Sequence, residues 1–237
     1  MHASLLLAVL VCGEGPRSPD SDMTADKRRL ALAATPRMRV GEGGTATAVV
    51  IGRKKDSLYL LTADHATDGP DTSALTFEFF ADADRAKPDF ALRGAKALLR
   101  KPVADFALLE VAVDPERTVA ILHLAAPGAA PKKFPFEGLS LGCSLGAPPT
   151  WEKEILLGKR LVVKSENDVA FFWQAEKSQA RGRSGGPLLS RAGEVIGICA
   201  ATSVGKGYYV HTSEIHAALK AEGFDWLWKR EPEKLQR

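Results

Sequence analysis

A chain of 237 residues is long enough for one large β domain or two small ones, and 45% hydrophobic with 26% charged residues is an ordinary globular composition. The net charge of +3, from 32 basic and 29 acidic residues spread along the chain, is too weak and diffuse for nucleic acid to be expected as a partner. Cys12, Cys143 and Cys199 lie far apart with no Cys-x-x-Cys spacing, so neither a metal site nor a disulfide framework is expected, and Cys143 and Cys199 read as small buried apolar residues.

The apolar run Leu5–Val11 is far too short to span a bilayer, so no integral membrane span is expected. It suits the core of a short signal peptide, but no Lys or Arg precedes it. Cys12 follows it as in a lipoprotein signal, yet Val11 stands where such signals carry a small residue. A periplasmic, secreted or anchored location and a cytoplasmic one, with Met23 as an alternative start, both stay open. Residues 1–35 read as a leader and flexible linker: 13–35 are polar, with Pro16, Pro19 and the run Asp26-Lys27-Arg28-Arg29.

From Met38 the texture changes to β-strand. Thr45–Ile51 and Ser57–Thr62, divided by a charged turn, form a hairpin signal. Short runs at 76–81, 90–100 and 106–113 continue the series. The Pro- and Gly-rich stretch 128–138 then marks a boundary between halves. A second series follows: LSLGCSLG, EILLGKRLVV, DVAFFWQA, PLLS, EVIGICAATS and GYYVHTS. One helix is predicted near the end, capped by Ser213, with Ile215, Ala218 and Leu219 on one face and Gly223 closing it. Many short strands with one terminal helix predict an all-β fold of two barrels.

The stretch ARGRSGGPLLS, residues 180–190, carries the chemistry. Ser184 sits between glycines in a tight loop that feeds a strand. Its G-x-S-x-G spacing also fits a nucleophile elbow, but an elbow serine opens a helix, and Gly185-Gly186-Pro187 lead into a strand. Upstream, His65 ends the strand of LYLLTADHA and Asp105 begins that of PVADFALLEV, giving the chain order His, Asp, Ser. A serine hydroxyl needs a base near pH 7, an imidazole suits, and a carboxylate can hold the ring in the right tautomer. Asp89, in PDFAL, rivals Asp105, but its apolar run is broken early by Arg93-Gly94.

The blocks LTADHA, ADFALLEV and GRSGGPLL resemble those of trypsin-like (chymotrypsin-fold) serine peptidases, and most resemble bacterial Deg-type, high-temperature-requirement proteases. The resemblance covers about residues 38–222. It implies two Greek-key β-barrels with a short C-terminal helix: a peptidase domain over 36–223, with barrels at about 36–127 and 134–212, a closing helix at 213–222, and a tail at 224–237. It implies a serine endopeptidase acting on protein or peptide substrates without metal or organic cofactor. Ser184 would be the nucleophile, His65 the base and Asp105 its partner, with an oxyanion loop over Gly182, Arg183 and Ser184. Ser178 would floor the substrate pocket, and Cys199, Ala200 and Ala201 would wall it. With no charge there, a preference for apolar residues is expected. A catalytically silent binding module and an esterase are the alternatives on the same fold.

Some residues depart from the family. No cysteine follows His65, so the histidine-loop disulfide of animal trypsins is not expected. Asp64, where a small or amide residue is usual, would either raise the His65 pKa or face solvent. A PDZ domain of the kind Deg-type proteases carry is not expected, since no segment after residue 237 would supply it. Arg183 stands where activated zymogens carry aspartate, so activity is expected without N-terminal cleavage, and the arm before Met38 reads as dispensable. The Arg183 guanidinium must find water, a carboxylate or backbone carbonyls. His123 reads as a core or interface residue, and Trp226 and Trp228 as packing anchors of the tail.

Overall fold

The computed structural model describes residues 23–229 apart from 42, 70, 83 and 166–167. The Leu5–Val11 run and Cys12 lie outside the described residues. Helix α1 (Ala25–Ala33) comes first. Seven strands of the first half follow: β1 (Arg37–Val40), β2 (Gly44–Lys54), β3 (Ser57–Thr62), β4 (Thr76–Phe79), β5 (Phe90–Arg93), β6 (Lys96–Lys101) and β7 (Phe106–Ala112). The second half holds β8 (Phe136–Gly142), β9 (Thr150–Ser165), β10 (Asp168–Ala175), β11 (Pro187–Leu189), β12 (Val195–Ser203) and β13 (Lys206–His211), then helix α2 (Thr212–Ala221). The architecture is mostly β, two curled sheets of the two-barrel chymotrypsin-like kind.

Strands β2, β3 and β7 are apolar almost throughout because both of their faces are buried. Successive side chains point to opposite faces of a strand. Ala48, Val50, Leu58, Leu60, Ala107 and Leu109 fill the interior of the first sheet. Their neighbours Val49, Ile51, Tyr59, Leu61, Phe106 and Leu108 turn outward into a core shared with Leu139, Leu141, Leu189 and Ile198 of the second half. This shared core fixes how the two sheets meet, and the site lies along that seam.

The second sheet closes in the order β10-β13-β12-β11-β8-β9, while the first runs β5-β4-β1-β2-β3-β7-β6 with β5 and β6 at its ends. The run expected at 90–100 is split at Gly94-Ala95. Those two backbone N–H groups donate to Leu75 and Thr72 at 2.9 and 3.0 Å, which steers the chain off the sheet between β5 and β6. Strand β1 pairs with both β2 and β4 and was not foreseen.

Part of the expected flexible linker is a helix. Thr24 caps α1 by accepting from the Lys27 N–H, and Met23, Ala31, Leu32 and Ala34 are buried. Lys27 Nζ reaches the Ala192 carbonyl of the second half at 3.3 Å, and the Val50 N–H of the first half donates to Ala34 O at 2.9 Å. The helix therefore straps the halves together. The connection between the halves does the same: Leu122 N–H bonds Val50 O, and Ala125 N–H bonds Val195 O, both at 2.9 Å. His123, expected in the core or at an interface, has an exposed side chain and so is not a core residue, while its carbonyl accepts the Val195 N–H at 2.8 Å between the halves.

Helix α2 begins one residue earlier than expected. Its cap is His211, whose Nδ1 accepts from the Ser213 N–H at 3.0 Å, so Ser213 is the donor and not the cap. Gly223, at φ +76, ends it as foreseen. Trp226 packs edge-on against Tyr59 and Trp228 lies against His216, which anchors the residues after α2. Among the described residues no helix is long and apolar enough to cross a membrane.

Candidate active site

His65, Asp105 and Ser184 converge from three separate segments along the seam. His65 sits in a single 3-10 turn, Asp64–Ala66, directly after β3. Thr67 clamps that turn, since its N–H and its hydroxyl both donate to Asp64 O at 2.8 Å. Asp105 immediately precedes β7 with φ +56, a left-handed conformation that aspartate tolerates better than most residues. Its carboxylate lies 2.8 and 2.9 Å from His65 Nδ1 and also accepts the His65 backbone N–H at 3.0 Å. An ionised carboxylate only accepts, so the ring proton lies on Nδ1 and leaves Nε2 as an acceptor. Nε2 is 3.0 Å from Ser184 Oγ. The Asp105 side chain is 13% exposed and that of His65 is 52% exposed, so the imidazole is open to solvent while the carboxylate beside it is sheltered.

The serine loop needs glycine for reasons of space. A methyl on Gly182, at φ +89, would strike the Cys143 carbonyl, and one on Gly185, at φ +85, would strike Thr47 and Thr62. Thr47 of β2 holds this loop from the other half. Its N–H donates to Ser184 O at 2.8 Å, its hydroxyl donates to Gly182 O at 2.7 Å, and its own carbonyl accepts from Thr62 Oγ1 at 2.8 Å. The Arg181 carbonyl accepts from Leu145 N–H at 2.7 Å, so it is turned away from Ser184. Among the described residues no acceptor engages the N–H of Gly182 or of Ser184. The arrangement can take a proton from Ser184 and offer two backbone donors beside it.

Comparison with known proteins decides the family. A model of the trypsin-like peptidase domain matches residues 46–198. The chain belongs to that family. It is a serine-type peptidase, and no curated protein sequence matches it. Among solved structures the peptidase is similar to the active form of the Rv3671c protease from M. tuberculosis. The TM-score is 0.67 at 19% identity, covering 93% of this chain and 95% of that one. It is also similar to the HtrA-type protease AlgW with a tripeptide, at TM-score 0.62 and 21% identity over 83% of this chain and 64% of that one. The serine endoprotease from Yersinia pestis gives TM-score 0.62 at 18% identity, with 88% and 68% covered.

Other expected site residues of the peptidase fall differently. Asp89 is remote from His65; it accepts the Ala81 N–H at 2.5 Å and pairs with Arg85 at 2.7 Å. Asp64 does not face solvent. It is buried in a two-pronged pair with Arg100 at 2.7 and 3.1 Å, and Arg100 also reaches Asp68. The bond to Asp64 raises the Arg100 pKa above its usual value.

Ser178 is exposed, in the stretch after the bend that follows β10, and is not the enclosed floor expected of it. Cys199 and Ala200 are buried in the cores and only Ala201 is exposed, because a bulge between Cys199 and Ala201 rotates the strand there. Gln179, which sequence reasoning passed over, turns inward instead. Its Nε2 donates to Lys177 O at 3.3 Å, its Oε1 is buried without a partner, and it packs where Gly207 lacks a side chain. Glu154, buried on β9, accepts from Ser140 Oγ at 2.9 Å and Tyr209 OH at 2.8 Å, and burial raises its pKa.

Neither described thiol is primed to react. Burial pushes Cys143 up to about 11 and Cys199 up to about 12. Among the described residues no cluster of His, Cys, Asp and Glu could hold a metal ion.

Proposed function

We propose that this peptidase is an endopeptidase that cleaves peptide bonds through Ser184, His65 and Asp105 by way of an acyl-enzyme. The observation that carries the reading is the hydrogen-bonded line from Asp105 through both ring nitrogens of His65 to Ser184 Oγ. Ser184 Oγ attacks the peptide carbonyl carbon as His65 Nε2 takes the hydroxyl proton. The carbonyl electrons move onto oxygen, and the Gly182 and Ser184 N–H groups bind that oxyanion. Collapse breaks the C–N bond, and Nε2 gives its proton to the departing amine. Water then attacks the ester, Nε2 takes and returns a proton, and a carboxylate leaves. Asp105 keeps the proton on Nδ1 and stabilises the imidazolium without accepting the proton itself.

Strand β12 provides a place for the substrate backbone. It pairs with β11 only up to Ile198, whereas its pairing with β13 continues to Ser203. The β11 side of Ala201–Ser203 is thus an edge beside Ser184 on which an extended peptide can add as a strand. Gln179 and Ala201 would line the pocket, where Ser178, Cys199, Ala200 and Ala201 were expected; the lining stays uncharged, with one amide added.

Labelling of the full chain with a fluorophosphonate, together with digestion of a peptide library, tests the reading. Parent protein should label at Ser184 and cut peptides internally, and Ser184→Ala should do neither while unfolding at the same temperature. Peptide cleavage by Ser184→Ala at the parent rate would overturn the proposal, and labelling with cleavage of esters alone would favour an esterase.

A further inference from the structure

Arg183 lies between the two backbone donors of the serine loop, yet its side chain is 1% exposed. A guanidinium removed from water that far needs nearly all its donors engaged. Here they are engaged by one surface, the floor formed by β8, β9 and the turn after β8. Nη2 donates to Ser140 Oγ at 2.7 Å. Nη1 lies 3.1 Å from Glu152 Oε1, 3.2 Å from Ser144 Oγ, 3.3 Å from Thr150 O, and 3.4 Å from Thr150 Oγ1 and Gly142 O. The floor is shaped for this side chain. A methyl on Gly142 would sit 2.8 Å from Arg183 Cγ and 2.9 Å from its Cβ. Ser140 passes the contact on to Glu154, which Tyr209 also holds.

The backbone that the side chain anchors is the one that carries both free donors. From the other side the loop is tied by Thr47 to Gly182 O, and the turn after β8 adds the Leu145 bond to Arg181 O. The Arg183 carbonyl accepts from the Gly186 N–H at 2.9 Å and the Arg183 N–H donates to Ala180 O at 3.3 Å, so the turn is tied to itself, and the buried side chain is what ties it to the floor. We propose that Arg183 is a positioning residue: its buried side chain, held by Ser140, Glu152 and Thr150, keeps the Gly182 and Ser184 N–H groups turned toward the oxyanion. A planar fork can hold β8 and β9 together, whereas a lysine ammonium would reach one of them. The proposal rests on the reading of Ser184 as nucleophile.

The test uses Arg183→Met, Arg183→Lys and Glu152→Gln in the full chain. For each, kcat and KM on a peptide amide, affinity for a peptide aldehyde that forms a tetrahedral adduct, and affinity for a product peptide are measured beside a thermal melt. Losing one oxyanion donor costs about 10²–10³ in kcat, so Arg183→Met should lose about 100-fold. Its KM should stay within about threefold, its aldehyde affinity should fall with kcat, and its product affinity should not. Arg183→Lys should recover part of the rate. Glu152→Gln, which removes the charge and keeps an oxygen acceptor on a side chain 43% exposed, should lose several-fold. A folded Arg183→Met with parent kcat overturns the proposal, as does an equal loss of aldehyde and product affinity. If Arg183→Met does not fold, parent kcat in both other variants overturns it. Full activity in Ser184→Ala would instead sink the underlying reading, which separates the two failures.

Discussion

Asp105 serves His65 twice, through the ring at Nδ1 and through the backbone N–H, so it fixes both the rotamer and the turn that carries the base. Asparagine keeps the left-handed backbone and can still meet the turn, but it can present an N–H where Nδ1 needs an acceptor. Asp105→Asn should therefore cut kcat/KM on a peptide substrate by about 10⁴ with little change in folding. Asp89→Asn, in a surface pair with Arg85, should leave kcat/KM at the parent value. Steady-state kinetics on the two purified variants checks this, and the opposite ranking would mean that the wrong carboxylate has been paired with the base. At this scale the sequence was legible where side-chain chemistry and strand ends coincide, as at His65 and Asp105. It was not legible at Ser178 and Gln179. Adjacent loop positions have no fixed period, so which of the two turns inward depends on the space left by Gly207 on a strand nearly thirty residues away.

Helix α1 belongs to the fold, although its sequence reads as a polar arm. Residues 24–30 are almost wholly exposed, which is why the charged run Asp26–Arg29 dominates the pattern, and the packing falls on Ala31, Leu32 and Ala34 instead. Small alanines give a weak helical signal, whereas the strands announce themselves through β-branched and aromatic runs. Leu32→Ala should destabilise the protein by about 2–3 kcal/mol, measured as a shift of the urea transition, while kcat of the folded fraction stays at the parent value. Deleting everything before Thr35 should lower stability further, since Met23 leaves the shared core as well. An unchanged urea midpoint in either variant would restore the view of this segment as a loose linker. The split of the 90–100 run was equally hidden, because Gly94 and Ala95 are drawn away by carbonyls of residues 72 and 75 that no local pattern reveals.

The molecule as a whole carries a pH dependence at its closing helix. Burial pushes His211 down to about 4 and also lowers His216, whose buried Nε2 has no partner. Both are bases with depressed folded-state values, so the unfolded chain takes up their protons first, near pH 6.5. Stability is thus fully present above that pH and is lost as pH falls toward 4, by up to about 3 kcal/mol for His211 alone. Protonation would also remove the acceptor that caps α2. Urea melts at pH 7, 5.5 and 4.5 should show the decline, and His211→Asn, which keeps a capping acceptor without a titrating ring, should flatten it. A parent slope in that variant would place the effect elsewhere.

Thr47 gives the seam one more property. Because this one threonine of the first sheet grips the serine loop of the second, a separation of the halves that parts Ser184 from His65 must first break its two bonds to that loop. A molecule opened along the seam is therefore expected to lose cleavage activity before its strands unpair.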